Sequence, residues 1–209
     1  MTETIVVAFT TFFATVGPVD VAAMFAAITA GATPSARRSM AFRGTLIAAV
    51  ILLVFAFFGK FLLWSLGISL PALRIAGGIL LLLIGIDMVF ARPSGGVSTT
   101  EAEAQEARGK ADIAVFPLAT PLIAGPGAIS ATILLMANTQ GDYSLQVAVL
   151  LSLAAVLLIT LATLLVAGQI HRLLGVTGLH VVSRIFGILL SALAVQFVID
   201  GVVESFLKR

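Results

Sequence analysis

The run from Phe116 to Ile129, FPLATPLIAGPGAI, puts Pro121, Gly125, Pro126 and Gly127 at the middle of an otherwise apolar segment of membrane length. Proline has no N–H to donate inside a helix, and its ring clashes with the carbonyl four residues back. No uninterrupted helix can pass through this run. Thr120-Pro121 and Gly125-Pro126 each read as an N-cap followed by proline at the first helical position, where the missing donor costs nothing. The segment is predicted to stop and to restart near Pro126.

The same break recurs midway along the first apolar segment, where Gly17-Pro18 precedes Gly125-Pro126 by 108 positions. A second correspondence lies downstream: Arg74-Ile-Ala-Gly77 and Arg184-Ile-Phe-Gly187 stand 110 positions apart, and Gly59 and Gly168 close two further apolar segments at a similar offset. These matches predict a duplicated unit.

Apolar residues fill 60% of the 209 positions and charged residues 11%, against roughly 25% charged in an average soluble domain. The chain therefore reads as an integral membrane protein. A hydrocarbon core about 30 Å thick needs about 20 apolar residues per helix. Six stretches qualify: Ile5 to Ile28, Phe42 to Leu66, Ala72 to Phe90, Ile113 to Ala137, Leu145 to Ile170, and Val181 to Val203. The polar run 92–112 reads as a linker between a first repeat, 1–91, and a second, 113–209. A unit with an odd number of spans reverses its orientation when duplicated. The expected fold is thus all-α, with six transmembrane helices as two inverted three-helix repeats whose first and fourth helices are broken, an architecture typical of secondary transporters.

No Lys or Arg precedes Arg37, so the first apolar segment lacks the basic start of a cleaved signal peptide and is read as a retained span. With the N-terminus outside, Arg37, Arg38, Arg43, Arg92, Arg108, Lys110, Arg172 and Arg184 fall inside, and Lys60, Arg74, Lys208 and Arg209 outside. Basic residues concentrate on the cytoplasmic side, which predicts both termini outside. Trp64 beside Lys60 fits an interfacial belt.

The charge pattern also excludes functions. Twelve Lys and Arg against ten Asp and Glu, scattered along the chain, form no basic stripe for nucleic acid. The absence of cysteine rules out disulfides, thiol chemistry and Cys-held metals. His171 and His180 lack the spacing of a helical metal pair and are expected in a loop. With no Ser/His pair or metal cluster in the spans, an intramembrane enzyme is disfavoured, and no cofactor is expected beyond a coupling proton or sodium ion. A membrane scaffold without transport is the other alternative, although it has no need of two matched breaks.

A helix N-terminus carries about half a positive charge and several unpaired N–H groups. Two of them meeting near the bilayer midplane would make a carboxylate site. The expected substrate-binding set is Gly17, Pro18, Asp20, Thr120, Pro121, Gly125, Pro126 and Gly127, for a small amino acid or similar zwitterion. Asp20, one turn into the second half of the first span, carries an insertion cost of about 2.5–3.5 kcal/mol. Two readings stand for it: a partner for a substrate ammonium or coupling proton, or a cap on the half-helix at Pro18. Asp87 and Asp200 lie near span ends, where interfacial solvation accounts for them. Thr15, Thr120 and Ser130 flank the breaks, where each can bond either a ligand or freed backbone groups, the second role being favoured for any one of them. Gly77, Gly78, Gly85 and Gly187 are assigned to helix packing.

On the Phe116 to Ile129 run, on Arg74-Ile-Ala-Gly-Gly-Ile-Leu-Leu-Leu-Leu83, and on GILLSALAVQFVIDG from Gly187 to Gly201, the chain resembles the MarC family of prokaryotic inner-membrane proteins, also called the neutral amino acid transporter family, over nearly its whole length. The resemblance implies a six-helix protein of the lysine-exporter superfamily in a bacterial or archaeal cytoplasmic membrane. For some relatives it also implies small neutral amino acids such as alanine and glycine as the substrate class; the partners expected for the spans are membrane lipid and a second copy in a homo-oligomer. The family usually has Asn-Pro where this chain has Gly17-Pro18, a further proline at Ala23, an acid at Lys60, and glycine at Asp20.

Overall fold

The computed structural model describes residues 1–90 and 112–207; within 167–207 it does not describe the side chains of 168–177, 179, 180, 182 and 207. Every regular element among the described residues is helical. Helices α1 (Thr2–Val16) and α2 (Pro18–Ile28) follow one another across Gly17. Then come α3 (Pro34–Ser65) and α4 (Leu70–Phe90), a wide-turned segment (Ala114–Ile123), α5 (Pro126–Asn138), α6 (Tyr143–Leu165) and α7 (Ala167–Leu207).

Five spans are long and apolar enough to cross a membrane: Thr2–Ile28, α3, α4, α6 and Ser183–Phe206. The wide segment and α5 together, bent by 57°, supply a sixth if they are counted as one. The expected spans therefore recur, with two differences. At 32 residues α3 is about 48 Å long at about 1.5 Å per residue, so it overruns the hydrocarbon layer. The loop expected around His171 and His180 is helical backbone: α6 ends at Leu165, and α7 begins two residues later. The linker expected at 92–112 lies outside the described residues except for Asp112, as do Lys208 and Arg209.

Local chemistry fixes the helix starts. Thr33 accepts the N–H of Ala36 at 3.3 Å with Pro34 at the first helical position, and Asp142 accepts from Ser144 and Leu145 at the head of α6. Each arrangement satisfies amides that a helix start leaves unpaired.

The main core is shared by the two halves of the chain. Phe12, Val16 and Phe25 of the first span are fully buried with Leu118 and Ile123 of the wide segment and with Leu153 and Val156 of α6. Element by element, α1 packs on α6 as the wide segment packs on α3; α2 packs on α6 and α7 as α5 packs on α3 and α4. Each interrupted span is thus seated on helices of the other half.

Helices α4 and α7 form a second, antiparallel seam around Leu81, Ile84, Leu190 and Ala194. A Cβ on Gly78 would fall 2.8 Å from the Ala194 carbonyl oxygen; one on Gly85 would fall 2.9 Å from that of Gly187, and one on Gly187 2.9 Å from that of Gly85. These glycines let the backbones touch, as the small residues between membrane helices do. Large apolar side chains on the outer faces, such as Phe57, Phe58, Phe61 and Leu158, are exposed, as lipid contact requires. Trp64 and Lys60 are exposed near the end of α3, consistent with an interfacial belt.

Candidate functional site

The first break turns on a single residue. Gly17 adopts φ 59°, ψ 61°, the left-handed conformation that glycine enters without a Cβ penalty. Its N–H closes α1 by donating to the Phe13 carbonyl at 3.0 Å, and its carbonyl accepts from Val21 at 3.0 Å to open α2. Pro18 stands at the first helical position, where it forfeits no bond. Thr163 of α6 donates to the Pro18 carbonyl at 3.2 Å, binding the break to the other half of the chain.

Asp20 lies in the first turn of α2, partly buried, with its Oδ2 folded back over Gly17, 3.4 Å from where a Cβ would stand. The positive end of the α2 dipole favours a carboxylate there. A crevice of about 10 Å³ opens beside it, lined by Phe13, Ala14, Gly17, Pro18, Val19, Asp20, Met88 and Phe186. That is the space of about one water molecule. Phe13 and Phe186 close one wall with ring centroids 5.2 Å apart.

The second break is built differently. Gly125, extended at φ −79°, ψ 172°, is the N-cap of α5, and Pro126 opens it, as expected. Thr120-Pro121 is not a helix start: Phe116 and Thr120 are extended inside a segment of wide turns, both Phe116-Pro117 and Thr120-Pro121 are cis, and Thr120 is exposed. The reason is that Pro117 and Pro121 both lie inside the wound segment, where neither supplies a donor. The amides that remain reach one residue further back, from Leu118 to Ile113 and from Ala124 to Ala119.

Of the expected set, the crevice gathers Gly17, Pro18 and Asp20; Thr120, Pro121, Gly125, Pro126 and Gly127 do not line it. Gly127 instead faces α4, where a Cβ would fall 2.7 Å from Leu81 Cδ2. Its small size serves packing. Thr15 is buried and donates to the Phe12 carbonyl at 3.3 Å, a bond to backbone within α1. Ser130 is buried against Gly77, and Asp200 accepts from Gln196 at 2.7 Å.

Sequence reasoning missed the crevice's other walls, Phe13, Ala14, Val19, Met88 and Phe186. An aromatic and a methionine in apolar spans carry no signal that separates them from lipid-facing neighbours. Among the described residues there is no group of three or more His, Cys, Asp or Glu side chains able to hold a metal ion.

A family profile described as "MarC family integral membrane protein" matches residues 2–206. A UPF0056 membrane protein of Methanocaldococcus jannaschii is 40% identical over 94% of this chain and 95% of its own length. The UPF0056 membrane protein YhcE of Escherichia coli is 34% identical over 93% of this chain and 89% of its own. The UPF0056 inner membrane protein MarC of Escherichia coli is 33% identical over 90% and 88%. No solved structure matches.

Proposed function

The chain belongs to the MarC family of integral membrane proteins, and from that premise we propose that it is a secondary transporter of small neutral amino acids or similar zwitterions in a bacterial or archaeal cytoplasmic membrane. It works as two inverted three-helix repeats with both termini outside, coupled to protons or sodium. One observation carries this reading: the packing keeps its pattern when the two halves are exchanged, each interrupted span lying on the other half's second and third helices. Inverted repeats of this kind pack around discontinuous helices, and transporters place their sites at such interruptions.

The antiparallel α4–α7 seam gives the same support. Its contacts pair Ile75 with Gly201, Gly78 with Ala194 and Gly85 with Gly187, which centres the seam near Leu81 and Ser191, positions related by the 110-residue offset of the Arg-Ile-x-Gly motifs.

The substrate region is the crevice at Gly17, Pro18 and Asp20. The α2 N-terminus faces a carboxylate there, and Asp20 supplies the counter-charge for an ammonium group or a coupling proton. Ligand pockets run to about 300 Å³ and more, so a space of about 10 Å³ makes this form a closed one. Substrate enters when the helices around Phe13 and Phe186 separate. The second break, bent and locked against α4, acts as the rigid counterpart.

Thermal unfolding of the detergent-purified protein, with alanine, glycine, other carboxylates, sodium and pH as variables, tests the reading. Ligand binding to the folded state raises the melting temperature, by about 2.7 kcal/mol of stability at a hundredfold excess over Kd. Stabilisation by alanine or glycine that is lost in Asp20→Asn supports the site. No shift with any compound would sink it and favour a scaffold.

A further inference from the structure

At the Trp64 end of the molecule Arg74, near the start of α4, reaches two other elements at once. Its Nη1 donates to Glu204 Oε2 of α7 at 2.9 Å, and its Nη2 donates to Asn138 Oδ1, the last residue of α5, at 2.5 Å. The Arg74 and Glu204 side chains are only 17% and 24% exposed, so this pair is shielded more than a surface pair. One guanidinium therefore ties together the ends of α4, α5 and α7.

The crevice borders the opposite end of α4. Met88, on its wall, is fourteen residues beyond Arg74, or about 21 Å along a helix rising about 1.5 Å per residue. Between them, Ser130 of α5 is buried against Gly77 of α4, two helical turns below Asn138. At the Trp64 end the Arg74 contacts lie beneath a surface depression of about 350 Å³ lined by Ser69, Leu70, Pro71 and Ser205 and stand between it and Ser130, while the crevice lies toward the other end.

The repeat makes these contacts informative. The counterpart of Arg74 is Arg184, which is exposed and makes no ion pair among the described residues. The counterpart of Asn138, at the 108-residue offset, is Ala30, which has no acceptor side chain; that of Glu204 is position 94, outside the described residues. An exchange of the two halves' conformations would break the Arg74 contacts without an Asn138-like acceptor for Arg184.

We propose that Arg74, Glu204 and Asn138 form a one-sided gate that closes the Trp64 end and sets the resting orientation of the protein. This rests on the transporter reading for its purpose but not for its test. Contacts made in only one of two states shift the population toward that state.

The chain has no cysteine, so Ser130→Cys gives a single reporter beneath the gate. Its reaction with a membrane-impermeant thiol reagent is measured in vesicles of both orientations, without substrate. With the gate intact the cysteine is protected from the Trp64 side. Glu204→Gln raises the labelling rate at least tenfold from that side alone, Arg184→Gln leaves it unchanged, and Arg74→Glu with Glu204→Arg restores protection.

Should Glu204→Gln fail to insert, Asn138→Ala carries the same prediction, with a rise of about threefold set by loss of one of the two contacts. Unchanged labelling, or a rise equal from both faces, overturns the gate. Because no ligand is present, a failed gate leaves the Asp20 binding test standing, and failed binding leaves the labelling result intact.

Discussion

Gly17-Pro18 and Gly125-Pro126 occupy matching places in the two halves, yet one interrupts a span and the other bends it. The first span runs on across its break from Thr2 to Ile28. The second turns by 57°, and its leading half is a wide-turned segment. Shifted by 108 positions, Pro117 and Pro121 fall on Phe9 and Phe13, which keep their amides and stack with ring centroids 5.9 Å apart inside α1. The Gly-Pro pair marks where each span restarts; the residues one and two turns earlier decide what shape it arrives in. The two breaks therefore differ in their surroundings: a crevice borders the first, and the second is a 57° bend whose Gly127 packs on α4.

The largest test of that division is to give the first span a proline of the second. Phe9→Pro removes an interior helical donor and adds a steric clash, at about 3 kcal/mol or more. Phe9→Ala removes the ring alone. Thermal unfolding in detergent should place Phe9→Pro below Phe9→Ala by at least that margin; equal melting temperatures would mean that proline position does not explain the difference between the breaks.

Much of this was legible in the sequence. The six apolar segments, both restarts and the close-packed glycines of α4 follow from length, composition and proline chemistry, which act within one segment. The wide turns were not legible, because whether Thr120-Pro121 starts a helix depends on how much bonding the amides around it can recover beyond the usual four-residue reach. The exchange of helices between halves, the walls at Met88 and Phe186, and the Arg74 contacts with Asn138 and Glu204 join residues far apart in the chain. Hydropathy is silent about which helix faces which. Arg74 read from sequence is simply a basic residue on the side of the membrane that disfavours it.

A middle-sized effect separates the two glycines. Gly17 is left-handed, and an alanine there takes on a conformation costing about 1–2 kcal/mol; the nearest side-chain atom, at 3.4 Å, adds no clash. Gly125 has φ −79°, open to any residue, so Gly125→Ala carries no such conformational cost and should destabilise less than Gly17→Ala. Equal costs in chemical or thermal unfolding would show that the two breaks demand the same backbone freedom and would erase this part of the comparison.

The smallest effect concerns how each interrupted span begins. Helix α1 starts behind Met1 without a side-chain cap. The wide segment starts behind Asp112, whose Oδ1 accepts the Ala114 N–H at 2.9 Å and whose Oδ2 meets Arg43 of α3. The Ala114 amide holds the Asp112 carboxyl below its ordinary value of 3.8; burial opposes it, and the Arg43 guanidinium adds smaller lowering pulls. A carboxylate whose pKa is lowered by folding stabilises the folded state above its unfolded pKa, and that contribution is lost as pH falls through the folded one. With both side chains about half exposed, 56% and 42%, the pair is worth at most about 1 kcal/mol. Asp112→Asn keeps an oxygen for Ala114 and removes the charge, so it should cost a fraction of that at pH 7, a cost that shrinks as pH falls below the unfolded value of 3.8 and through the lowered folded one. Unfolding of parent and variant followed from pH 7 to pH 3 should therefore converge on acidification. If the gap persists at low pH, the anchor of the second span is its hydrogen bond and shape rather than its charge, and the Arg43 contact plays no part in holding the bend.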